Sequence, residues 1–337
     1  MLILIFFISF LLIALIYFQS KYLVLIDTPY GQNHKSILNK NTPLSGGVYL
    51  FISITTYIHF VSYNKITILL SLFIFLLLIL GIFSDLKRNF SPKLRLFLQF
   101  IIVLLFILLT DLKINKTGVF FLDYIIHDNL FNLLFTSLCV IIVINGSNFC
   151  DGVNCNVTGY FLAVSLGILF TKLESPTYFP RLEIIISIFF VFYVANLFQK
   201  AFLGDNGTYV ISAFMSIYVI SFINLNHNIS PLLALNLLWY PAFENLFTII
   251  RRLVNDKEVQ IADRAHLHTL ILKKISDKNN LIFSNSITGI ILNVIMFLGI
   301  FLSVNFYNNA KVLLLVLLMN IILYVISYYF FYVRKKN

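Results

Sequence analysis

Charge is what this chain has least of. Of its 337 residues only 11% are Asp, Glu, Lys or Arg, while 60% are hydrophobic. A water-soluble domain of this length needs more polar surface than that to cover its core, so a soluble globular protein is excluded. Cysteine is scarce too, with Cys139, Cys150 and Cys155 the full set. Cys150 and Cys155 fall on the side assigned below to the reducing cytoplasm, which argues against a disulfide. Their spacing, with His266 and His268 far along the chain, is a poor match to a zinc site. The first apolar stretch lacks a charged start and a small-residue cleavage site, so it reads as a retained helix and not as a removed signal peptide. No internal repeat is evident. The longest polar stretch, about 250–284, is too short for a soluble domain and reads as a loop with one short helix. The basic residues flank apolar stretches and form no separate basic domain, so nucleic acid is not among the expected partners.

What is present is a series of long apolar runs. At about 1.5 Å rise per residue, roughly 18–20 apolar residues cross about 30 Å of hydrocarbon. Eleven such runs are read: 2–19, 44–62, 65–83, 94–110, 129–145, 157–171, 182–199, 207–223, 231–249, 285–305 and 311–332. The expected fold is all-α, one polytopic membrane domain over 1–337. With eleven spans, alternate loops share a side. Six of the 24 Lys and Arg (Lys65, Lys113, Lys116, Lys172, Arg181, Lys311) then lie on one side, leaving 24 − 6 = 18 on the other. The richer side is cytoplasmic by the positive-inside rule, which puts the N-terminus outside and the C-terminus inside. The cytoplasmic loops are about 20–43, 84–94, 146–156, 200–206 and 250–284. Attraction to anionic headgroups accounts for most of the net charge of +10.

These five loops hold five polar clusters. Asn145, Asn148 and Asp151 recur every three residues before Gly152, so a continuing helical turn would put them on one face. Carboxylate and amide oxygens suit Mg²⁺; the competing reading is helix capping, which needs one such residue and not three. In Gly204-Asp205-Asn206-Gly207-Thr208, Asp205 is either an N-cap or a metal-binding carboxylate beside glycines that admit a phosphate. Ser84-Asp85 ends one apolar run, and Pro92, Lys93 and Arg95 open the next, with Gln99 beyond. Interfacial charge explains the basic residues, but an acid at a helix C-terminus opposes the macrodipole. Asp27, Pro29, His34, Lys35, Lys40, Pro43, Gly46 and Gly47 form a turn-rich entry loop. Asp263, Arg264, His266 and His268 could hold a phosphate or a metal, or be merely solvated. Glu244 lies inside the ninth apolar run, where an ionisable group costs a few kcal/mol unless paired. Its spacing of seven and eight from Arg251 and Arg252 predicts a pair with one of them. Together the clusters suit a metal-bridged diphosphate donor and a membrane-embedded phosphate acceptor.

In five motifs taken in order from Asp27 to His268, and in its eleven spans, the chain resembles the polyprenyl-phosphate N-acetylhexosamine-1-phosphate transferases, the superfamily of WecA-like and MraY-like enzymes. The resemblance implies Mg²⁺-dependent transfer, with Mn²⁺ as the substitute ion, of a sugar-1-phosphate from a UDP-N-acetylhexosamine to undecaprenyl phosphate with loss of UMP. That is a first membrane step of O-antigen, teichoic acid or other envelope polysaccharide synthesis, at the cytoplasmic face of the plasma (inner) membrane. It implies catalytic roles for Asp85, Asp151, Asp205 and His266, and substrate binding by Lys93, Arg95, Asn145, Arg264 and His268. Asp205 and Asn148 would be the metal ligands. A homodimer is compatible with it.

Departures from the family pattern are Ser84 for the first Asp of an Asp-Asp pair and Thr269 for a further His. Val153-Asn154-Cys155-Asn156 and Asn33-His34-Lys35 also differ from the family's usual residues. The loss at Ser84 is tolerable on physical grounds, because a phosphate monoester with a second pKa near 6 is already mostly dianionic and needs no general base. The rival within the reaction class is an MraY-like transferase of phospho-muramyl-pentapeptide. Rivals outside it are a transporter, which would gather polar groups near the bilayer midplane in paired halves, and an inactive homologue.

Overall fold

The computed structural model describes residues 2–22, 25–27, 42–61, 63–87, 90–254, 265–276 and 281–333. In chain order the elements are α1 (Leu2–Tyr22), β1 (Ile26–Asp27), β2 (Thr42–Pro43), α2 (Gly46–Val61), α3 (Lys65–Leu86), α4 (Pro92–Thr110), α5 (Phe120–Ile125), α6 (Asn129–Cys150), α7 (Asn156–Thr171), α8 (Leu182–Leu197), α9 (Gly204–Leu225), α10 (Leu232–Val254), α11 (Leu267–Ile275), α12 (Leu281–Asn305) and α13 (Ala310–Val333). The two short strands pair antiparallel, Ile26 opposite Pro43 and Asp27 opposite Thr42.

Each of the eleven apolar runs is a helix. Seven of them (α3, α4, α6, α9, α10, α12, α13) are long and apolar enough to cross a membrane, and the described parts of α1, α2, α7 and α8 are shorter apolar helices. The protein is an all-α, polytopic membrane protein. The two remaining helices are short: α11 lies in the long polar loop, and α5 sits between α4 and α6.

The ends follow local chemistry. Asn64 and Thr67 form a reciprocal capping box at the start of α3, with bonds of 3.0 and 2.9 Å. Pro92 occupies the first turn of α4, and Asp128 caps α6 by accepting from the Phe131 N–H at 2.7 Å. Three helices overshoot the apolar runs that mark them. α3 continues through Ser84 and Asp85, α6 through Asn145 and Asn148, and α9 begins at Gly204. Parts of the expected loops 84–94, 146–156 and 200–206 are therefore helical. Hydropathy marks where lipid-facing residues stop, whereas a helix stops where its backbone bonds stop.

α9 is the central pillar. Residues Gly204 to Phe222 are all buried, enclosed by α2, α3, α6, α7 and α10. Small residues permit that crowding, as in other membrane helix contacts. A Cβ at Gly81 of α3 or at Gly47 of α2 would overlap Asn206, and one at Gly146 of α6 would overlap the carbonyl of Pro241 inside α10.

Candidate active site

The up-and-down packing brings the C-terminal ends of α3, α6 and α10 beside the N-terminal ends of α2, α4, α9 and α11, and most of the expected site residues lie there. Asp205 is the junction. Its Oδ1 accepts from Nδ2 of Asn148 on α6 at 2.6 Å. Its Oδ2 accepts from Ser84 Oγ on α3 at 2.6 Å and from Arg95 Nη1 on α4 at 3.2 Å, with Tyr209 Oη at 3.4 Å. The same Arg95 nitrogen donates to Ser84 Oγ at 3.1 Å. Side chains from four helices thus meet on one carboxylate that is only 6% exposed. Asp205 does not cap its own helix: the N-cap position is Leu203, which makes no side-chain cap bond.

Asp85 supplies the missing cap from another helix. Its Oδ1 accepts from the backbone N–H of Asp205 at 3.0 Å, and its Oδ2 from the N–H of Asn206 at 3.0 Å and from Asn206 Nδ2 at 2.6 Å. An acid at the C-terminal end of α3 opposes that helix's dipole, yet the same acid faces the positive N-terminal end of α9. Asn206 completes the clamp by accepting from the Gly47 N–H at 2.8 Å, which ties α2 to the tip of α9.

Asn145 lies one turn deeper than Asn148. Its Nδ2 donates to Gln99 Oε1 at 2.9 Å and to the Ile141 carbonyl at 3.0 Å, so it faces α4 and not Asp205. Asp151 is the C-cap of α6 and is partly exposed. Lys93 is exposed on the first turn of α4.

The second half of the site is a column of rings. The Arg252 guanidinium lies 5.4 Å from the Phe149 ring centre; Phe149 stacks on His266 at 5.6 Å, and His266 on His268 at 5.5 Å with planes only 6° apart. His268 packs against the backbone of Gly152, where any side chain would collide with its ring. Both histidines are buried, not solvated. Thr269 turns its hydroxyl back onto the His266 carbonyl at 2.7 Å.

Glu244 does not pair with Arg251 or Arg252 as the spacing suggests. Its Oε1 is 2.8 Å from His266 Nδ1, and Oε2 accepts from the Tyr324 hydroxyl on α13. Seven or eight residues of helix separate Glu244 from those arginines by about 11–12 Å of rise, a span at the limit of both side chains, whereas α11 delivers His266 directly.

Asp263 and Arg264 lie outside the described residues, as do Pro29, His34, Lys35 and Lys40; of Asp27 only the backbone is described. Sequence reasoning passed over Phe149, Asn206 and Tyr324. The first two stand inside polar motifs, a usable signal, but Tyr324 lies in an apolar helix with nothing to mark it.

Asp205 Oδ1 and the Asn148 amide oxygen, once that amide is turned over, make two adjacent hard donors. Mg²⁺ takes one or two protein oxygens and completes its octahedron with water and substrate phosphates, so this pair fits it as a partial shell. Among the described residues no group of three or more His, Cys, Asp or Glu converges to form a fuller one.

Residues 67–223 match the family model described as glycosyl transferase family 4. That stretch spans α3 to α9 and contains Ser84, Asp85, Asn148 and Asp205. The chain is also 23% identical over 252 residues, 72% of its length and 68% of the relative's, to the "Probable undecaprenyl-phosphate N-acetylglucosaminyl 1-phosphate transferase" of Bacillus subtilis (strain 168).

Proposed function

On its likeness to glycosyl transferase family 4 and to the Bacillus subtilis relative, we propose that the chain is a member of the superfamily of WecA-like and MraY-like membrane transferases and moves an N-acetylhexosamine-1-phosphate from a UDP-sugar to undecaprenyl phosphate. A phosphate oxygen of the acceptor attacks the sugar-bearing phosphorus, the bond from that phosphorus to the bridging oxygen breaks, and UMP leaves with the electron pair. The acceptor phosphate is already mostly dianionic at neutral pH, so no group must take a proton from it.

The observation that carries this reading is the junction at Asp205. One buried carboxylate, an amide and a guanidinium from separate helices meet at one end of a membrane bundle, with a basic first turn on α4 and two histidines nearby. Asp205 and Asn148 would hold Mg²⁺, which when bound supplies charge neutralisation at the diphosphate. Arg95 and Lys93 offer cations to anionic oxygens, and His266 and His268 offer ring nitrogens that donate when protonated. Positioning and electrostatics would provide most of the acceleration, as in other phosphoryl transfers.

The positive-inside asymmetry of Lys and Arg supports a cytoplasmic location for this end of the bundle, where nucleotide sugars are made. Thr269, whose hydroxyl is spent on a backbone carbonyl, stands in place of a further histidine and favours the WecA-like branch over the muramyl-pentapeptide branch. The test is release of UMP by purified protein with undecaprenyl phosphate and Mg²⁺. The donors are UDP-GlcNAc, UDP-GalNAc and UDP-MurNAc-pentapeptide, and Asp205→Asn is the control. Release from an N-acetylhexosamine donor with loss in the control supports the reading; no release from any donor overturns it.

A further inference from the structure

The reaction above gives Glu244 no role, yet this residue is placed with unusual care. It is fully buried in the C-terminal half of α10, and its partners come from three helices. His266 at the start of α11 meets Oε1 through Nδ1 at 2.8 Å, Thr248 on α10 approaches the same oxygen at 3.4 Å, and the Tyr324 hydroxyl on α13 donates to Oε2. A carboxylate this deep in a membrane protein costs several kcal/mol to bury, and well-packed apolar residues commonly replace a buried ionic pair at no loss of stability. Stability alone therefore does not account for it.

The geometry points to Glu244 as the positioning residue for His266, fixing which ring nitrogen carries the proton and how the ring is turned. Two constraints act on the imidazole. The stack between Phe149 and His268 sets the plane of the ring. The bond from Nδ1 to Glu244 then sets rotation within that plane, and it keeps the proton on Nδ1. Tyr324 holds the far oxygen of Glu244 and thereby ties α13 to the site. Among the described residues, the groups facing His266 include Glu244 and Thr248 on α10, Tyr324 behind Glu244, Phe149 with Arg252 over its far face, and His268 on the same helix. This assignment rests on the reading of the site given above, in which His266 meets the phosphates of the donor.

The experiment compares full-length wild type, Glu244→Gln and Tyr324→Phe. The tautomer and protonation of His266 are read by ¹⁵N NMR of histidine-labelled protein, with His266→Gln to assign its signals. UMP release is measured on the same samples, and UDP affinity by titration. The expected wild-type signal is a protonated Nδ1. Glu244→Gln keeps the size but loses the charge, so the proton is no longer held on Nδ1 and the tautomer populations shift. Turnover should drop roughly 10- to 100-fold, the usual scale for losing the partner behind a working histidine. Tyr324→Phe frees Oε2 but leaves the carboxylate, so it should shift the same signals by less. An unchanged His266 spectrum in Glu244→Gln overturns the assignment whatever the activity. So does an altered spectrum with unchanged turnover and unchanged UDP affinity. If the wild type releases UMP from no donor, the transferase reading fails separately, and UDP affinity decides: about tenfold weaker binding in Glu244→Gln supports the positioning role, and equal binding overturns it. If Glu244→Gln does not purify as a folded protein, Tyr324→Phe carries the same comparison with the same two outcomes.

Discussion

Ser84 donates a 2.6 Å hydrogen bond to Oδ2 of Asp205, 121 residues further along the chain, and Arg95 reaches that same oxygen at 3.2 Å. Asp205 is thus a carboxylate whose charge is already shared with a hydroxyl and a guanidinium. In the family that this chain resembles, the position of Ser84 carries an acid. An acid there would set two carboxylates in contact with the single charge of Arg95 between them, one positive charge short of balance.

Ser84→Asp is accordingly expected to make the protein dependent on a divalent ion for stability. Its Tm should fall relative to wild type without Mg²⁺ and recover when Mg²⁺ is added, with turnover changed less than about tenfold, or 1.4 kcal/mol. Thermal unfolding with and without Mg²⁺ reads the first effect and UMP release the second. A rise in turnover by orders of magnitude would show that Ser84 marks a degraded site.

Asp205→Asn removes the one charge on which α3, α4 and α6 converge. The amide offers a single oxygen where four donors now bind. Loss of several kcal/mol of electrostatic stabilisation corresponds to roughly 10²- to 10³-fold in kcat. Steady-state kinetics test this, and a variant with more than a tenth of wild-type activity would remove Asp205 from the centre of the mechanism.

Asp85 acts on the backbone of α9 through bonds to the N–H groups of Asp205 and Asn206. Asp85→Ala leaves both donors buried and unmet, at about 1–3 kcal/mol. Hydrogen exchange at those two amides should accelerate while the C-terminal half of α9 stays protected. Asp85→Asn, which keeps acceptor oxygen, should lose less. Equal exchange in wild type and Asp85→Ala would contradict the capping role.

A pH effect is expected on the other side of the bundle. Burial works against ionisation of Asp123, but bonds from the Thr117 hydroxyl and the N–H groups of Thr117 and Gly118, with Lys116 nearby, hold its carboxyl below the usual range. Because the folded value is the lower one, the stabilisation is present above the ordinary carboxylate range and is lost as pH falls through the depressed value. Amide exchange at Thr117 and Gly118, corrected for its intrinsic pH dependence, should lose protection on acidification and should be insensitive to pH in Asp123→Asn.

The membrane spans were legible because lipid demands long apolar stretches, and each of the eleven is a helix. The ends of α3, α6 and α9 were not, because Ser84, Asn148 and Asp205 are polar residues satisfied by neighbouring helices and continue a helix that hydropathy reports as finished. Asp205 and Asn148 could be picked out together since both stand in short polar motifs. The function of Asp85 as a cap for α9 could not, since it depends on two helix ends meeting 120 residues apart. The partner of Glu244 was misread for a related reason. Local spacing pointed to Arg251 and Arg252 on the same helix, but the pair forms across helices, with a tyrosine 80 residues away.

α9 carries Asp205, Asn206, Thr208, Ser212, Ser216 and Ser221 and is buried on all sides from Gly204 to Phe222. A segment of that composition gains less from entering lipid alone than a helix such as α3, since polar side chains oppose insertion and find relief against other helices. The consequence concerns biogenesis: the helix that carries Asp205 is expected to depend on α2, α3 and α6 being in the bilayer before it, which their earlier place in synthesis provides. Insertion assays of α9 in isolation and behind the preceding helices should show a marked gain in the second case. Equal insertion in both would mean that the pillar of the fold needs no help to enter the membrane.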